Sequence, residues 1–253
     1  MTSPGLLLKP LLDIPAIRAG DDLVQIVLAG LTRTDDWLQS GDVLVFAQKI
    51  VSKAEGRTVE LASVSPSERA HELAKQTGLD PRLVELILQE SIEVIRQRRD
   101  LLIVRHRLGF TLANAGIDAS NVDGAGHVLL LPLDPDASAT RLRSALRQQT
   151  SIDVGVLIID SWGRPWRVGT VGCAIGLSGL PGFIDMRGHP DLNGRRLQRT
   201  VIGFADELAA AASMLMGQAA EGRPIVLARG VPYERREGTA RELLRPESMD
   251  LFR

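Results

Sequence analysis

Apolar segments of strand length alternate along this chain with segments that carry helix-start signals, and this alternation constrains the fold most. Buried strands are expected at residues 43–47, 154–159 and 224–230. A helix is expected to begin where an N-cap residue precedes a proline, as at Asp134 and Pro135. Strands that alternate with helices predict the α/β fold class, with mixed α+β character.

Further signals place the remaining helices and strands. Residues 65–68 (SPSE) carry a capping signal and predict a helix that runs to about Gln76. Asp80 and Pro81 begin a second predicted helix, whose apolar residues recur at helical spacing as far as Ile95. Strands are also expected at 101–105, 110–113 and 128–131, and an apolar helix is expected at 205–216, stopping at Gly217.

The composition fits a single domain of residues 1–253, with a charge-rich end at 234–253 that is either a peripheral helix or a loose tail. A hydrophobic content of 44% supports a sizeable core. The formal net charge of −1 gives no global basic field, which argues against nucleic acid as a partner. No segment approaches the roughly 20 apolar residues of a membrane span, so we expect a cytoplasmic protein without a membrane partner. The lone Cys173 is expected to be a small core residue.

Residues 114–121 (NAGIDASN) form a short polar connection between two predicted strands, with one carboxylate, one hydroxyl and two amides. Asp118 lies in this connection, and Asp160 is expected where the strand 154–159 ends. Hard divalent cations such as Mg²⁺ prefer oxygen ligands and need only one or two carboxylates. Asp118, Asp160 and the Ser161 hydroxyl could therefore hold such an ion against a phosphate. The alternative is that Asp118 makes an Asx turn and Asp160 caps a strand.

Two features could bind phosphate. Lys49 and Lys53, which are four residues apart, supply positive charge. The segment 216–222 follows a predicted helix and contains two glycines, which permit the backbone to approach a ligand closely. The sequence contains no Walker loop and no Gly-x-Gly-x-x-Gly after a strand, so a nucleotide site here would not be of the common types. The alternative is that the lysines are solvated and that Gly217 is a helix C-cap.

A glycine- and arginine-rich segment, residues 162–196, follows the strand 154–159 and contains two tryptophans. Guanidinium groups bind carboxylates and phosphates bidentately and stack on aromatic rings, so an anionic, partly aromatic substrate would suit this segment. A surface arm with salt bridges or a subunit contact explains the composition equally well. The arginines concerned are Arg164, Arg167, Arg187, Arg195 and Arg196.

Several of these segments together resemble the coenzyme F420-0:L-glutamate ligase family, in its stand-alone form. The resemblance rests on six motifs in the family's order, and it extends from about Ile14 to Gly230. The motifs are GDVLV (41–45), VSKAEGR (51–57), NAGIDASN (114–121), DPD (134–136), DSWGR (160–164) and ADELA (205–209).

The resemblance implies a GTP-dependent ligase that adds L-glutamate, and possibly further γ-linked glutamates, to coenzyme F420-0. It implies Mg²⁺ or Mn²⁺, with two ions expected, and K⁺ as cofactors. The metal ligands that it implies are Asp118, Asp160, Ser161 and Gln218. The nucleotide-binding residues that it implies are Ile14, Pro15, Ala16, Ile17, Gln48, Lys49, Lys53, Asn121, Met216, Gly217, Gln218, Ala219, Ala220, Glu221, Gly222 and Arg223.

Three positions depart from the family's pattern. Ser161 stands where threonine is common but keeps a hydroxyl, and Asn193 replaces a frequent tyrosine. Gln218 stands where some relatives have an acid, which weakens the case for the second metal position.

This chemistry requires phosphoryl transfer, because a carboxylate must become an acyl phosphate before it reacts with an amine. Such transfer is catalysed by positioning and charge neutralisation. We therefore expect Asp118, Asp160 and Lys53 to be catalytic. Arg164, Arg167 and Arg195 are expected to bind the anionic coenzyme.

Two other functions stay open. One is a metal-dependent, acyl-phosphate-forming ligase for a different carboxylate, and the other is a non-catalytic sensor of phosphate ligands. The resemblance further implies two interlocked lobes in an intertwined homodimer. Because the chain ends at Arg253, a C-terminal reductase-like domain is not expected.

Overall fold

The computed structural model describes residues 5–122 and 124–250, and its largest element is a five-stranded mixed sheet. The helices are α1 (Leu23–Arg33), α2 (Gln48–Ala54), α3 (Glu68–Thr77), α4 (Pro81–Gln89), α5 (Pro135–Thr150) and α6 (Phe204–Met216). The strands are β1 (Leu7–Pro10), β2 (Val43–Ala47), β3 (Thr58–Glu60), β4 (Ser91–Arg98), β5 (Leu101–His106), β6 (Thr111–Ala113), β7 (His127–Leu129), β8 (Gly155–Arg164), β9 (Arg167–Ser178), β10 (Ile184–Asp185), β11 (Val201–Ile202) and β12 (Ile225–Arg229).

The five-stranded sheet has the order β1-β12-β2-β8-β9. Strands β2 and β8 are parallel, and the other neighbouring strands are antiparallel. The chain is therefore an α/β protein, as predicted, and the buried strand predicted at 43–47 has those bounds.

Helices cover both faces of this sheet. Successive residues of its central strands point to opposite faces, and the residues on each face are apolar. Leu44 and Phe46 face a core shared with α1 and α5, whereas Val43 and Val45 face a core shared with α6. Strands buried on both faces read as continuous apolar runs. The run at 43–47 is such a strand.

A second, smaller unit consists of α3 and α4 packed on the three-stranded sheet β4-β5-β6. Its buried Glu90, 8% exposed, accepts hydrogen bonds from Arg57 at 2.8 Å and Arg107 at 3.0 Å. His106 Nε2 lies 3.3 Å from Glu90 Oε2. Arg57 also donates to the carbonyl of Leu131 at 2.9 Å, so these contacts join the small unit to the rest of the chain.

The helix predicted from Asp80 to Ile95 is wrong in its second half. Helix α4 ends at Gln89, and the next residues form strand β4. Ile92 and Ile95 fit the helical spacing by coincidence, and Ile92 is 60% exposed. Pairing with β5 in an antiparallel ladder decides the conformation here, because tertiary pairing overrides a local period.

The prediction that the strand ends at Asp160 is also wrong. Strand β8 continues to Arg164 and forms a long hairpin with β9, in which Asp160 pairs with Cys173. Gly172 permits this hairpin to lie against α6, because a Cβ there would overlap the carbonyl oxygen of Ala209. Asp160 is thus held within a ladder and does not lie in a loop.

The charge-rich end forms two short 3₁₀ turns, Ala240–Leu243 and Glu247–Met249, and it is neither a longer helix nor a loose tail over the described residues 234–250. The Ala240 amide donates to Asp136 Oδ1 at 2.9 Å, and Ala240 is 1% exposed. Residues 251–253 of this predicted tail lie outside the described residues. Within the described ranges, no helix combines the length and the apolar character needed to cross a bilayer.

Candidate functional site

One large cleft, with a volume of about 860 Å³, opens where the loop after β6, helix α2, strand β8 and the loop after α6 meet. These elements bring together residues that are far apart in sequence. The wall includes Asp118, Asp160, Ser161 and Gln218, which are the four proposed metal ligands. It also includes every predicted nucleotide residue: Ile14, Pro15, Ala16, Ile17, Gln48, Lys49, Lys53, Asn121, Met216, Gly217, Gln218, Ala219, Ala220, Glu221, Gly222 and Arg223.

Asp160 is a carboxylate held in a desolvated part of the cleft. Burial raises its pKa to about 7, a hydrogen bond from the Ser161 amide opposes this rise, and the charge of Asp118 adds to it. The Ser161 amide donates to Asp160 Oδ1 at 2.8 Å. No ion pair to Asp160 occurs within the described residues. A cation bound beside this carboxylate would stabilise its charged form, which burial disfavours.

Asp118 faces the same cleft and already has a cationic partner. Its Oδ2 lies 2.6 Å from Lys49 Nζ, and its Oδ1 accepts from the Ser120 amide at 2.6 Å. Burial alone would raise the pKa of Asp118, but hydrogen bonds from Lys49 and Ser120 lower it below its ordinary value. The Asx turn considered from sequence is therefore present, and its carboxylate still faces the cleft.

Ser161 and Gln218 lie side by side. Ser161 Oγ donates to Gln218 Oε1 at 2.9 Å, and Gln218 Nε2 donates to Ser213 Oγ at 3.0 Å. Strand β8 supplies Ser161 and the loop after α6 supplies Gln218, so this contact joins two walls of the cleft.

The loop after α6 requires its first glycine. Gly217 has φ +75°, and a Cβ there would overlap the carboxylate of Glu221. Glu221 Oε2 in turn accepts from the Ala219 amide at 2.8 Å, which keeps the loop compact. Asn121 Nδ2 donates to the Ala219 carbonyl at 3.3 Å, so the loop 114–121 contacts the loop after α6.

The two lysines lie in helix α2, which begins immediately after β2. Lys53 Nζ has no hydrogen bond or ion pair to the part of the chain that the structure describes, whereas Lys49 is fully engaged. Gln48 is 2% exposed, and Ser52 Oγ donates to its Oε1 at 2.8 Å.

The three arginines predicted to bind substrate do not line this cleft. Arg164 and Arg167 lie at the end of the β8–β9 hairpin, and Arg195 lies in the exposed segment between β10 and β11. Arg164 Nη1 is buried without a hydrogen-bond partner among the described residues. The structure thus separates these arginines from the acids and lysines.

The donor set of the cleft fits a hard divalent cation. The four residues offer carboxylate, hydroxyl and amide oxygens, which are the ligands that Mg²⁺ and Mn²⁺ accept. Groups of three or more His, Cys, Asp or Glu that could hold a metal are absent from residues 5–122 and 124–250. Two carboxylates completed by substrate phosphates satisfy Mg²⁺ and would not satisfy a zinc or iron site.

Sequence reasoning assigned no role to several cleft residues, among them Ser120, Ser213 and Trp162. Ser120, which binds Lys49, lies in the polar connection and could have been chosen for its hydroxyl. Trp162, which packs on Phe110 with ring centroids 5.5 Å apart, lies in the DSWGR motif and in the arginine-rich segment suited to an aromatic substrate. Ser213 is one hydroxyl in an apolar helix, and no signal in the sequence assigns it to a cleft.

A comparison with protein families gives a match over residues 12–230 to the model described as F420-0:Gamma-glutamyl ligase. The chain belongs to this family. The matched range includes all residues of the cleft wall, from Ile14 to Pro224. The family membership inferred from the sequence motifs is confirmed.

Curated relatives agree with the F420-0:gamma-glutamyl ligase assignment. The coenzyme F420:L-glutamate ligase of Methanothermobacter thermautotrophicus is 46% identical over 242 residues, covering 95% of this chain and 96% of the relative. The enzyme of that name from Methanopyrus kandleri is 45% identical and covers 99% and 98% of the two chains. The enzyme of that name from Archaeoglobus fulgidus is 43% identical and covers 96% and 95%.

Proposed function

We propose that this chain ligates L-glutamate to coenzyme F420-0, with GTP as the phosphoryl donor and an acyl phosphate as the intermediate. Further γ-linked glutamates can follow by the same reaction. The observation that carries the proposal is the single cleft in which the two acids, the two lysines and the glycine-containing loop meet. The names of the curated relatives supply the coenzyme and glutamate.

The reaction has two steps. An oxygen of the coenzyme carboxylate attacks the γ-phosphorus of GTP, the bond to the β-phosphate oxygen breaks, and GDP leaves. The glutamate amine then attacks the acyl carbon, the carbon–oxygen bond to phosphate breaks, and inorganic phosphate leaves while the amine loses a proton. Activation is necessary because a free carboxylate has no adequate leaving group.

Different residues of the cleft would bind different parts of the nucleotide. Lys53, whose ammonium has no partner in the described chain, is free to neutralise phosphate oxygens. The loop after α6 and residues 14–17 line the cleft, and we expect both to contact the nucleotide. Asn121 bridges to the Ala219 carbonyl and orders that loop.

Asp118, Asp160, Ser161 and Gln218 would hold Mg²⁺ or Mn²⁺, in two positions, with K⁺ as a further cation. When bound, these ions supply charge neutralisation at the phosphates. Asp160 favours this role because it is desolvated and lacks a cationic partner of its own among the described residues.

The coenzyme would approach from the hairpin side of the cleft. Trp162 lines the cleft and stands two residues before Arg164 in the same strand. A guanidinium at the edge of the cleft is suited to an anionic group of the coenzyme. Arg167 and Arg195 would receive the carboxylates of the coenzyme tail farther from the reaction.

The intertwined homodimer of two interlocked lobes is part of the proposal. The hairpin end exposes Trp166 by 81% and Val168 by 102%, which is unusual for apolar side chains on an isolated protomer. Sedimentation equilibrium at low protein concentration tests this: a monomer at all concentrations would contradict the dimer.

The activity is tested by phosphate release with purified protein, GTP, Mg²⁺, coenzyme F420-0 and L-glutamate. We expect release to require both acceptor substrates, and mass spectrometry should show glutamate added in γ-linkage. A matched reaction with ATP measures nucleotide preference. Phosphate release with another carboxylate in place of the coenzyme would favour a different acyl-phosphate ligase, and GTP binding without turnover would favour a sensor.

A further inference from the structure

Lys49 makes more contacts than a solvated lysine would. Its Nζ lies 2.6 Å from Asp118 Oδ2, 2.7 Å from Ser120 Oγ and 3.4 Å from the Ser120 carbonyl oxygen. An ammonium has three donors, so these acceptors use all of them. The side chains of Lys49 and Asp118 are 28% and 32% exposed, so the pair is only partly screened by water.

Lys53 provides the internal comparison. It lies one helical turn after Lys49 in α2 and lines the same cleft. Its ammonium contacts no acceptor within the described residues. Two lysines of equal charge therefore face the same cleft, and only Lys49 is bound to a proposed metal ligand.

A divalent cation and the Lys49 ammonium would repel each other if both contacted Asp118. A cation about 2.1 Å from Asp118 Oδ2 would lie within about 4.7 Å of an ammonium nitrogen that is 2.6 Å from the same oxygen. The two positive charges would repel strongly in a partly buried site. The Lys49 ammonium must therefore leave Asp118 when the cation arrives.

We propose that Lys49 is a placeholder for the cation, and that it couples metal binding to nucleotide binding. In the metal-free protein it neutralises Asp118. On loading, the cation replaces it at Asp118, and the released ammonium moves to the phosphate oxygens of the nucleotide. The identity of the ligand as a metal–nucleotide complex rests on the function proposed above.

This exchange makes the two ligands cooperative. A cation alone must displace Lys49 from three acceptors into a position without a partner. A nucleotide offers phosphate oxygens to the displaced ammonium, so it removes that penalty. Coupling of this kind is reciprocal, and the cation must strengthen nucleotide binding by the same factor.

The test measures Mn²⁺ binding by electron paramagnetic resonance in the presence and absence of GTP. Coenzyme and glutamate are omitted, and the signal is corrected for the Mn²⁺–GTP complex that forms in solution. GTP should tighten Mn²⁺ binding to the wild-type protein about tenfold or more. Lys49→Met should bind Mn²⁺ alone about tenfold more tightly than the wild type and should lose most of the GTP effect. Lys53→Met is the matched control, because it removes the same charge from the same helix and should tighten Mn²⁺ binding far less.

Thermal unfolding supplies a second readout that needs no activity. In EDTA, Lys49→Met should unfold at a lower temperature than Lys53→Met, because Asp118 loses its partner. Addition of Mn²⁺ should raise the unfolding temperature of Lys49→Met more than that of the wild type. Lys49→Gln gives the same comparison with a shorter polar side chain should the methionine variant not fold.

Equal tightening of Mn²⁺ binding in the Lys49 and Lys53 variants would overturn the proposal, because a general charge effect would then suffice. An absence of GTP-dependent Mn²⁺ binding in the wild type would also overturn it. Failure of the ligase reaction with the coupling intact would count against the proposed function alone.

Discussion

Ser161 Oγ donates a hydrogen bond of 2.9 Å to Gln218 Oε1, and this bond connects strand β8 to the loop after α6. Ser161 stands between the half-buried Asp160 and the aromatic Trp162, and Gln218 is held from its other side by Ser213. The loop that would cover a nucleotide is therefore connected to the strand that carries the acid.

Ser161→Ala and Gln218→Ala should each lower the rate of ligation by about tenfold, and the double variant should lose little more. The two side chains act as one unit, so their effects should not add. Initial rates at saturating GTP and metal give the comparison. Ser161→Thr is the control, since it retains the hydroxyl and should stay close to the wild type. Additive losses would mean that the two residues act independently.

Asp160→Asn should lower ligation on the order of 100-fold or more while making the metal-free protein more stable. The wild-type carboxylate is desolvated, and the amide removes that cost while keeping an acceptor for the Ser161 amide. An increase of about 2–4 °C in the unfolding temperature in EDTA corresponds to roughly 1 kcal/mol.

Asp206→Asn is the control for this pair of effects. Burial also raises the pKa of Asp206, which lies in the first turn of α6 and outside the cleft wall. Its ligation rate should stay near the wild-type value. A destabilised Asp160→Asn protein would contradict the desolvation argument.

Gly217→Ala should weaken GTP binding by about tenfold, measured by calorimetry, because the new Cβ displaces Glu221 and opens the loop. Gly222→Ala is the matched control: its φ of +66° is similar, but a Cβ there meets nothing within 4 Å. Gly217→Ala also carries backbone strain of its own, because φ +75° with ψ −178° is a conformation essentially restricted to glycine, so the rescue by Glu221→Ala isolates the overlap. Gly217→Ala with Glu221→Ala should recover part of the affinity, and equal losses in the two glycine variants would exclude this explanation.

Glu90 should make stability depend on pH in the acid range. Burial alone would raise the pKa of Glu90, but contacts with His106 and Arg57 and the charges of Arg57 and Arg107 lower it to about 2. The folded-state pKa is below the ordinary 4.5, so this contribution is full above pH 4.5 and is lost as the pH falls towards 2.

Urea unfolding of Glu90→Gln at several pH values tests this. The variant should lose on the order of 3 kcal/mol at neutral pH, and its difference from the wild type should shrink below pH 4.5. Glu72→Gln, which breaks an exposed pair with Arg69, should give a curve parallel to that of the wild type. A constant difference between Glu90→Gln and the wild type would contradict the assignment.

The sequence was sufficient for elements whose signals are local. The strand at 43–47 is apolar on both faces, α5 begins after Asp134, and α6 ends before Gly217. The two errors have a common cause. Both β4 and the far half of β8 are stabilised by hairpin pairing with the strand that follows across a two-residue turn, and this pairing leaves no apolar period in the sequence of either strand.

The candidate site followed a similar pattern. Residue type singled out Asp118 and Asp160, since hard cations prefer carboxylate oxygens, and both residues line the cleft. Their meeting in one cleft was not predictable, because 41 residues separate them in the sequence. Lys49 contacts Asp118, whereas Lys53 contacts no acceptor among the described residues. This difference depends on side-chain geometry, and the sequence shows only two lysines four residues apart.

The continuation of β8 through Asp160 means that both acids of the cleft stand on paired backbone. Asp160 pairs with Cys173 of β9, and Asp118 exchanges two backbone hydrogen bonds with Leu129, of 3.0 and 2.8 Å. The turn before Asp118, in which Asn114, Ala115 and Gly116 all have positive φ, therefore delivers the second acid to a fixed position. Adaptation to ions of different radius would fall on rotation of the two carboxylate side chains, because the backbone sets the spacing of the two acids.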